Sequence, residues 1–576
     1  MDPRRVLALF RFIFCAEIDG NCSVPSSEER RPDAEAELVD RLLAQCVEDL
    51  FSNCFGAIFG RDEPASDISV PPLKLFVDLD IFMDEQVAQY PGFLPATVFR
   101  RIRQDKQEID PYLRSALHAY IARWLPLFVR TESGGRHSGL PFDEINRSCW
   151  RTARKDMLQA INVPSYQAVL ALYLYAQTPV PLGISPEEES DGMNGVVCGK
   201  TALLHVQILR ERLVCQFTGS EISARSDASP NHNNTDQQTA ASPKPLRTEE
   251  YLNLADRAYW ASITWDTLDS MTFSFRSTLF SGLEGAYSEP VWQRARSFLV
   301  DSFHERTHDW RLPGFRVSSD VAPQITSAAS VCTIYTWMII ASIREALREG
   351  VTRAGVQFEW NHLLDAVRVF KTTILPIVRN CENQLHFLGQ VDRLHWYETM
   401  LLYYLGILIL TDAVEAAHQS HLLWEVEQLS LWAEHECFNV LKFGLESTYI
   451  LRRSRQQHPS SNSAAETELP AQSLTVSLVA IDPHPQHVIF AIMLMGKDFR
   501  HQGVEEREAQ VAENQDWLKL WKFTNAILGT DDEGWVPPRL AFEMVQAKER
   551  EVFGVHQQGQ TPGASEEEAR KLWFYK

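Results

Sequence analysis

Apolar residues recur at intervals of three and four along most of this 576-residue chain, and this spacing restricts its fold more than any other feature. The spacing places such residues on one face of an α-helix, whereas the strict alternation typical of half-buried strands is rare. It occurs at 37–59, 111–129, 165–177, 199–214, 249–275, 290–309, 327–349, 360–379, 395–418, 421–444 and 485–496. We therefore predict an all-α, multi-helix fold.

Two polar segments interrupt the helical pattern. They are rich in Ser, Asn, Gln and Pro and hold too few large apolar residues for a packed core, so we expect disordered linkers. The predicted organisation is a variable N-terminal segment (1–35), a first helical half (36–222), a linker (223–247), a second helical half (248–451), a second linker (452–475) and a C-terminal helical and acidic segment (476–576).

The C-terminal segment mixes acidic residues with Trp517, Trp521 and Trp535. This mixture is typical of activation segments that fold on a partner protein. An ordinary charged terminal helix has the same composition. Both interpretations stay open at the level of sequence.

Charge and cysteine spacing exclude several classes of protein. The formal net charge of −21 opposes nonspecific binding to nucleic acid or to an anionic membrane. No two of the ten cysteines have C-x-x-C spacing, so the common structural zinc sites are not expected. The longest apolar run, 400–410, is too short to span a bilayer and predicts a buried core helix.

The stretch HERTH at 304–308 matches the H-E-x-x-H pattern of zinc proteases. On a helical wheel, however, His304 and His308 lie opposite the apolar face, where they would point to solvent. Arg306 places a cation where it opposes metal binding, and the segment that follows lacks a third ligand at the expected spacing. We interpret the match as coincidental.

Three weaker patterns also fail as catalytic motifs. GVVCGKT lacks the first glycine of a phosphate-binding loop at the required spacing and begins a helix instead. Glu415, His418 and His421 are predicted to share one helix face, but a di-iron site needs a second such set. His484 and His487 flank a proline in a predicted loop and would make an incomplete metal site. The sequence therefore predicts no enzyme and no cofactor.

The stretch DRAYWASITWDTLDSMTFSFRSTLF (256–280) resembles the regulatory domain of fungal transcription factors, the middle homology region that follows a zinc binuclear cluster. The matching residues are Arg257, Tyr259, Trp260 and Asp266, and Arg276 stands where the family has a Gly-Arg-Pro-like turn. VPSYQAVLALYLYA (163–176), with Gln167, is similar to an earlier family helix, and YPGFLPATVF (90–99) to its proline-aromatic segment. The resemblance covers residues 36–450.

The same residues also have a purely structural interpretation, which we favour. Tyr259 and Trp260 are expected in the core, and Asp266 is expected to pair with Arg276 across a helix end by a charge-assisted hydrogen bond. Under this interpretation the signature organises the fold and binds no effector.

The resemblance implies a transcription regulator that acts in the nucleus through partners in the transcription machinery and controls a metabolic or biosynthetic gene set. It implies a homodimer or heterodimer and, by analogy of fold, a small-molecule effector. The family's six-cysteine zinc cluster is not visible here, so DNA contact is expected only through a module encoded upstream or through a partner, and zinc only with that module. The alternative is a helical scaffold or heterodimer partner that modulates related factors without binding DNA.

Overall fold

The computed structural model describes residues 39–51, 72–89, 109–125, 142–226, 245–279, 290–452 and 473–495, with short gaps inside several of these ranges. The predictions for residues 1–35, for the proline-aromatic segment 90–99 and for the tryptophans beyond 495 lie outside these ranges. So do most of the helix predicted at 37–59 and most of both predicted linkers.

Helices dominate the described residues, which confirms the all-α prediction. They are α1 (Pro72–Gln89), α2 (Pro111–Ile121), α3 (Phe142–Ala160), α4 (Tyr166–Gln177), α5 (Pro186–Ser190), α6 (Gly195–Ser226), α7 (Pro245–Phe273), α8 (Pro290–Ser297), α9 (Phe303–Arg306), α10 (Ala322–Glu349), α11 (Arg353–Val369), α12 (Leu375–Glu382), α13 (Gln390–Ala416) and α14 (Ser420–Glu446). The π-helical turns Phe298–Ser302 and Phe370–Ile374 join α8 to α9 and α11 to α12.

Helices α1 and α3 were not among the predicted helices. Helix α3 carries many charged residues, so its buried face is narrow and depends on Trp150, Ala153, Met157 and Ala160. In α1 the apolar pattern is interrupted by Asp80, which is nevertheless fully buried. A helix with few apolar residues, or with its apolar pattern interrupted by a charge, is easily overlooked when helices are predicted from runs of apolar residues.

One two-stranded hairpin accompanies the helices in the described part of the chain. Strand β1 (Thr448–Arg452) pairs antiparallel with β2 (Ser473–Ser477), and Arg452 lies opposite Ser473 in the register. Both strands extend into the predicted linker 452–475. Helices α6 and α7 likewise extend into the edges of the predicted linker 223–247.

Helix α13 forms the centre of the core, packed between α10 and α14. Helix α10 approaches α13 closely at Gly406. Across this contact Trp337 of α10 donates its indole N–H to the carbonyl of Leu402 at 2.9 Å. A Cβ atom on Gly406 would lie 2.3 Å from Trp337 Nε1. Glycine is therefore the residue that fits here.

The core is continuous across the predicted domain boundaries. Buried residues of the first half, such as Tyr120, belong to the same apolar cluster as Tyr397 of the second half. Leu478, Val488 and Met495, beyond the predicted boundary at 476, belong to it as well. The described helices thus share one interior.

Candidate functional site

The residues that resemble the family signature lie on α7 and the turn after it. Tyr259 and Trp260 are buried, as the structural interpretation predicted. The guanidinium of Arg210 lies 3.9 Å from the centre of the Tyr259 ring, a cation–π contact that joins α6 to α7. Arg257 lies half-buried on the same helix.

Asp266 organises the turn after α7. Its carboxylate accepts hydrogen bonds from the Ser277 hydroxyl at 2.6 Å and from the backbone N–H groups of Thr278 and Leu279, the latter at 2.8 Å. Burial raises the pKa of this carboxyl, while the hydrogen bonds and the charge of Lys200 oppose the rise. The Asp266 side chain therefore orders the turn through hydrogen bonds with three groups.

The predicted pairing of Asp266 with Arg276 is wrong. Arg276 Nε instead lies 2.9 Å from Glu345 Oε1, and a second guanidinium nitrogen lies 3.5 Å from Glu349. Both glutamates belong to α10, so the arginine ties the turn to a helix distant in sequence. Such a tertiary partner is invisible to reasoning from sequence spacing.

Gln167 belongs to a buried polar group that joins α1, α2 and α4. Its side-chain oxygen accepts from the Asp110 N–H at 2.9 Å, and Ser165 caps the same helix by accepting from the Ala168 N–H at 3.1 Å. Asp80 of α1 accepts from the backbone N–H groups of Tyr166 at 2.8 Å and Gln167 at 2.9 Å. A buried carboxylate thus faces the positive end of the α4 dipole.

Replacing Asp80 with alanine is expected to lower the free energy of unfolding by about 2 kcal/mol, because two buried N–H groups lose a charged acceptor. Urea denaturation at pH 7 measures the change. The matched control is Asp78→Ala on the same helix, which among the described residues removes a contact with exposed Lys74 and should cost at most about 0.5 kcal/mol. Equal losses in the two variants would refute the capping role of Asp80.

The HERTH stretch does not form one continuous α-helix. Helix α9 ends at Arg306, Thr307 leaves helical geometry, and His308 begins a 3-10 turn. His308 is exposed as predicted, but His304 is half-buried and shares a 2.8 Å hydrogen bond with the Thr373 hydroxyl. The prediction that both histidines face solvent is therefore wrong for His304.

The GKT sequence serves a structural purpose. The ammonium group of Lys200 donates to the carbonyl of Arg276 at 2.9 Å and to the hydroxyl of Thr278 at 2.7 Å. The lysine therefore stabilises the turn that Asp266 also holds.

Glu415, His418 and His421 do not share a helix face, contrary to the prediction. Helix α13 ends at Ala416, and His418 has a φ of 54°, which turns the chain towards α14. The left-handed residue separates Glu415 and His421 onto different helices.

Ionisable residues are buried together where residues 478–484, 487 and 488 lie against the helices. Tyr397 donates to Asp482 Oδ2 at 3.1 Å, and the His484 N–H donates to Asp482 Oδ1 at 2.7 Å. The rings of His484 and His487 lie 5.2 Å apart, and His487 Nε2 shares a 3.0 Å hydrogen bond with the Thr272 hydroxyl. We call Tyr397, Glu398, Asp482, His484 and His487 the acid–histidine cluster.

Glu398 is the unusual member of the cluster. It is 3% exposed, and neither of its carboxyl oxygens has a hydrogen-bond partner among the described residues. Burial and the nearby charge of Asp482 raise its pKa well above the ordinary value. An ionised carboxylate without partners is too costly in such a place, so Glu398 is neutral in the folded protein.

The pKa values of Asp482, His484 and His487 are also shifted in the direction that favours the neutral form. Burial raises the pKa of Asp482 to about 6, despite hydrogen bonds from the His484 N–H and Tyr397 that oppose the rise. Burial lowers the pKa of His487 to about 3 and that of His484 well below its usual value. Burial thus shifts the pKa values of both carboxyls and both histidines of the cluster towards their neutral forms.

The two histidines of this cluster were singled out from the sequence, where they were placed in a predicted loop. Glu398 was missed, although a signal was present: a single glutamate precedes the apolar run 400–410 in a helix that is predicted to be buried. A charge in such a position is a marker of an unusual environment.

Within the described ranges, no group of three or more His, Cys, Asp or Glu side chains is arranged to hold a metal ion. By length and composition, α10 and α13 are apolar enough to cross a membrane, yet 89% and 78% of their most apolar windows are buried inside the protein. Such burial is typical of core helices.

Comparison of the chain with protein-family models, with curated proteins and with solved structures yields no match.

Proposed function

We propose that the chain is the regulatory part of a fungal transcription regulator, which acts in the nucleus by protein contacts. The observation that carries the proposal is the segment 256–280, whose Arg-x-Tyr-Trp and Asp pattern resembles the family signature. The order of two flanking segments adds support: 163–176 is followed by GKTALLHVQILRERL (199–213), which is similar to the family helix that usually comes next. So does the all-helical fold, because the family domain is helical.

The proposal assigns the signature residues a structural role. Asp266, Lys200 and Arg276 each contribute hydrogen bonds or an ion pair that hold the turn after α7. Regulation would therefore act through the stability and surface of the helical domain.

Gene deletion tests this function. A fluorescent fusion of the full chain is expected to accumulate in the nucleus, and deletion is expected to change the transcripts of a co-regulated metabolic or biosynthetic gene set. Transcript profiling across several nutrient conditions is the measurement. An unchanged profile under all of them would overturn the proposal.

The alternative is a partner protein that modulates related factors without contacting DNA. It is favoured by the net charge of −21, which opposes DNA binding by this chain alone. The genomic sequence ahead of Met1 discriminates between the two. An in-frame six-cysteine array followed by a basic linker supports direct DNA binding, whereas recovery of a related factor with the tagged chain, without such an array, supports the partner role.

A further inference from the structure

Helix α6 presents an exposed row of apolar side chains, which we call the α6 row. Val197, Leu204 and Ile208 are 51%, 49% and 37% exposed, and the partly exposed Thr201 lies between them. Their intervals of four, three and four residues place them on one face of the helix over a length of about 16 Å. Apolar groups repeated in this way on a surface are typical of a contact with another helix.

The charges beside the α6 row are mainly positive. On the helical wheel Lys200 and Arg212 lie on opposite sides of the row, and Arg210 lies beyond Lys200. The exposed Glu211 lies at the C-terminal end of the row. This part of α6 therefore carries three cations and one carboxylate, although the net charge of the whole chain is −21.

Helix α14 presents a second exposed row, which we call the α14 row. Trp424 and Leu431 are 73% and 56% exposed, and the exposed Gln428 and His435 continue the same face. The intervals from Trp424 to His435 are again four, three and four residues, so the two rows have equal lengths. Tryptophan is enriched among the residues that dominate the binding energy of protein interfaces.

The charges beside the α14 row are negative. Glu427 and Glu434, seven residues apart, lie along one edge of the row, and Glu427 is exposed. A helix that packs on this row would meet these carboxylates at its own flanking positions. Charges at such flanking positions determine which helices pair with each other.

We propose that the α6 row of one copy of the chain docks on the α14 row of a second copy, so that the protein assembles head to tail. The rows have the same spacing, and the charges beside them are opposite. Both rows are exposed in the same folded chain, so they do not cover each other within one copy. Pairing of two α6 rows would bring cations together, and pairing of two α14 rows would bring carboxylates together.

The proposed contact is heterologous, because each copy uses two different surfaces. It buries only a few large side chains from each copy, so we expect a weak and reversible association. The net charge of −21 opposes the approach of two copies at low ionic strength. At about 0.15 M salt, charges more than about 8 Å apart are largely screened, whereas charges in direct contact still interact.

Sedimentation velocity of the purified full chain at about 0.15 M salt tests the assembly. The weight-average mass is expected to rise above that of the monomer as the concentration approaches the order of 100 μM. Leu204→Glu and Trp424→Glu each place a charge inside one row, and each variant alone should remain monomeric. Their equimolar mixture should form a dimer and no larger species, because only one intact row of each kind is then present.

Three further measurements make the result specific. Phe358→Glu on α11 changes a side chain that is 49% exposed, as Leu204 is, and should keep the wild-type assembly. The milder variants Leu204→Ser and Trp424→Ser should raise the dissociation constant about tenfold, and Glu427→Lys about fivefold. Urea denaturation of each variant should give the wild-type midpoint, since all of these residues are exposed.

A wild-type chain that stays monomeric over the whole range would overturn the proposal. Assembly of Leu204→Glu or of Trp424→Glu alone would also overturn it, because the contact would then need only one of the rows or neither. A mixture of the two variants that stays monomeric would do the same. None of these results depends on nuclear localisation or on transcript profiles, so the assembly and the proposed function fail independently.

Discussion

Replacing Asp266 with alanine is expected to lower the free energy of unfolding by about 3 kcal/mol. The carboxylate is 1% exposed and accepts from the Ser277 hydroxyl and two backbone N–H groups, so its removal leaves several donors without an acceptor inside the protein. Lys200, which stabilises the same turn, would also lose a nearby negative charge. Urea denaturation at pH 7, followed by tryptophan fluorescence, measures the loss.

Two further variants, one at this turn and one at a distant exposed position, make the result specific. Ser277→Ala removes one donor and should cost about 1 kcal/mol, clearly less than the loss of the acceptor. Asp301→Ala, an exposed aspartate that bonds only to the Ser297 hydroxyl in the described structure, should cost at most about 0.5 kcal/mol. If Asp266→Ala resembled Asp301→Ala, Asp266 would not be what orders the turn.

Replacing Gly406 with alanine is expected to cost about 3 kcal/mol, although the same change in most helix interiors is stabilising by about 1 kcal/mol. The added Cβ would lie 2.3 Å from Trp337 Nε1 and 2.7 Å from Trp337 Cδ1. Either α10 moves away from α13 or the indole turns and loses its hydrogen bond to Leu402. The measurement is again the free energy of unfolding in urea.

A double-mutant cycle separates the clash from other effects of Gly406→Ala. Trp337→Phe removes the indole nitrogen that the new Cβ would meet, so the double variant should lose less than the sum of the single variants, by at least about 1 kcal/mol. Strict additivity would mean that the two residues do not compete for the same space. A stabilising Gly406→Ala would contradict the close approach of the two helices.

The helices with wide, uninterrupted apolar faces were predicted from sequence within a few residues, and α4, α10 and α14 are clear examples. Those predictions succeed because the apolar residues on the buried face of such a helix recur at the helical period along the sequence. Helix α3 was missed because charged residues fill most of its surface and only a thin stripe contacts the core.

The polar contacts were less accessible because each depends on a partner that is distant in sequence. Asp266 was correctly associated with the turn after α7, yet Arg276 was paired with the wrong carboxylate because Glu345 lies on α10, about seventy residues away. Glu398 was missed for a related reason: only the assembled fold shows that both of its oxygens lack partners. Local spacing carries no information about either fact.

The β-hairpin has a consequence for how the chain tolerates changes in length. Arg452 and Ser473 are direct partners in the ladder, so the two ends of the intervening stretch, 453–472, are held about one strand spacing apart. The free-energy cost of closing a chain segment between fixed ends grows only with the logarithm of its length, by about 0.6 kcal/mol per doubling. Insertions at this point, including a whole reporter domain with closely spaced termini, should therefore leave the helical core intact, and the hairpin is the natural place to attach a probe to this protein.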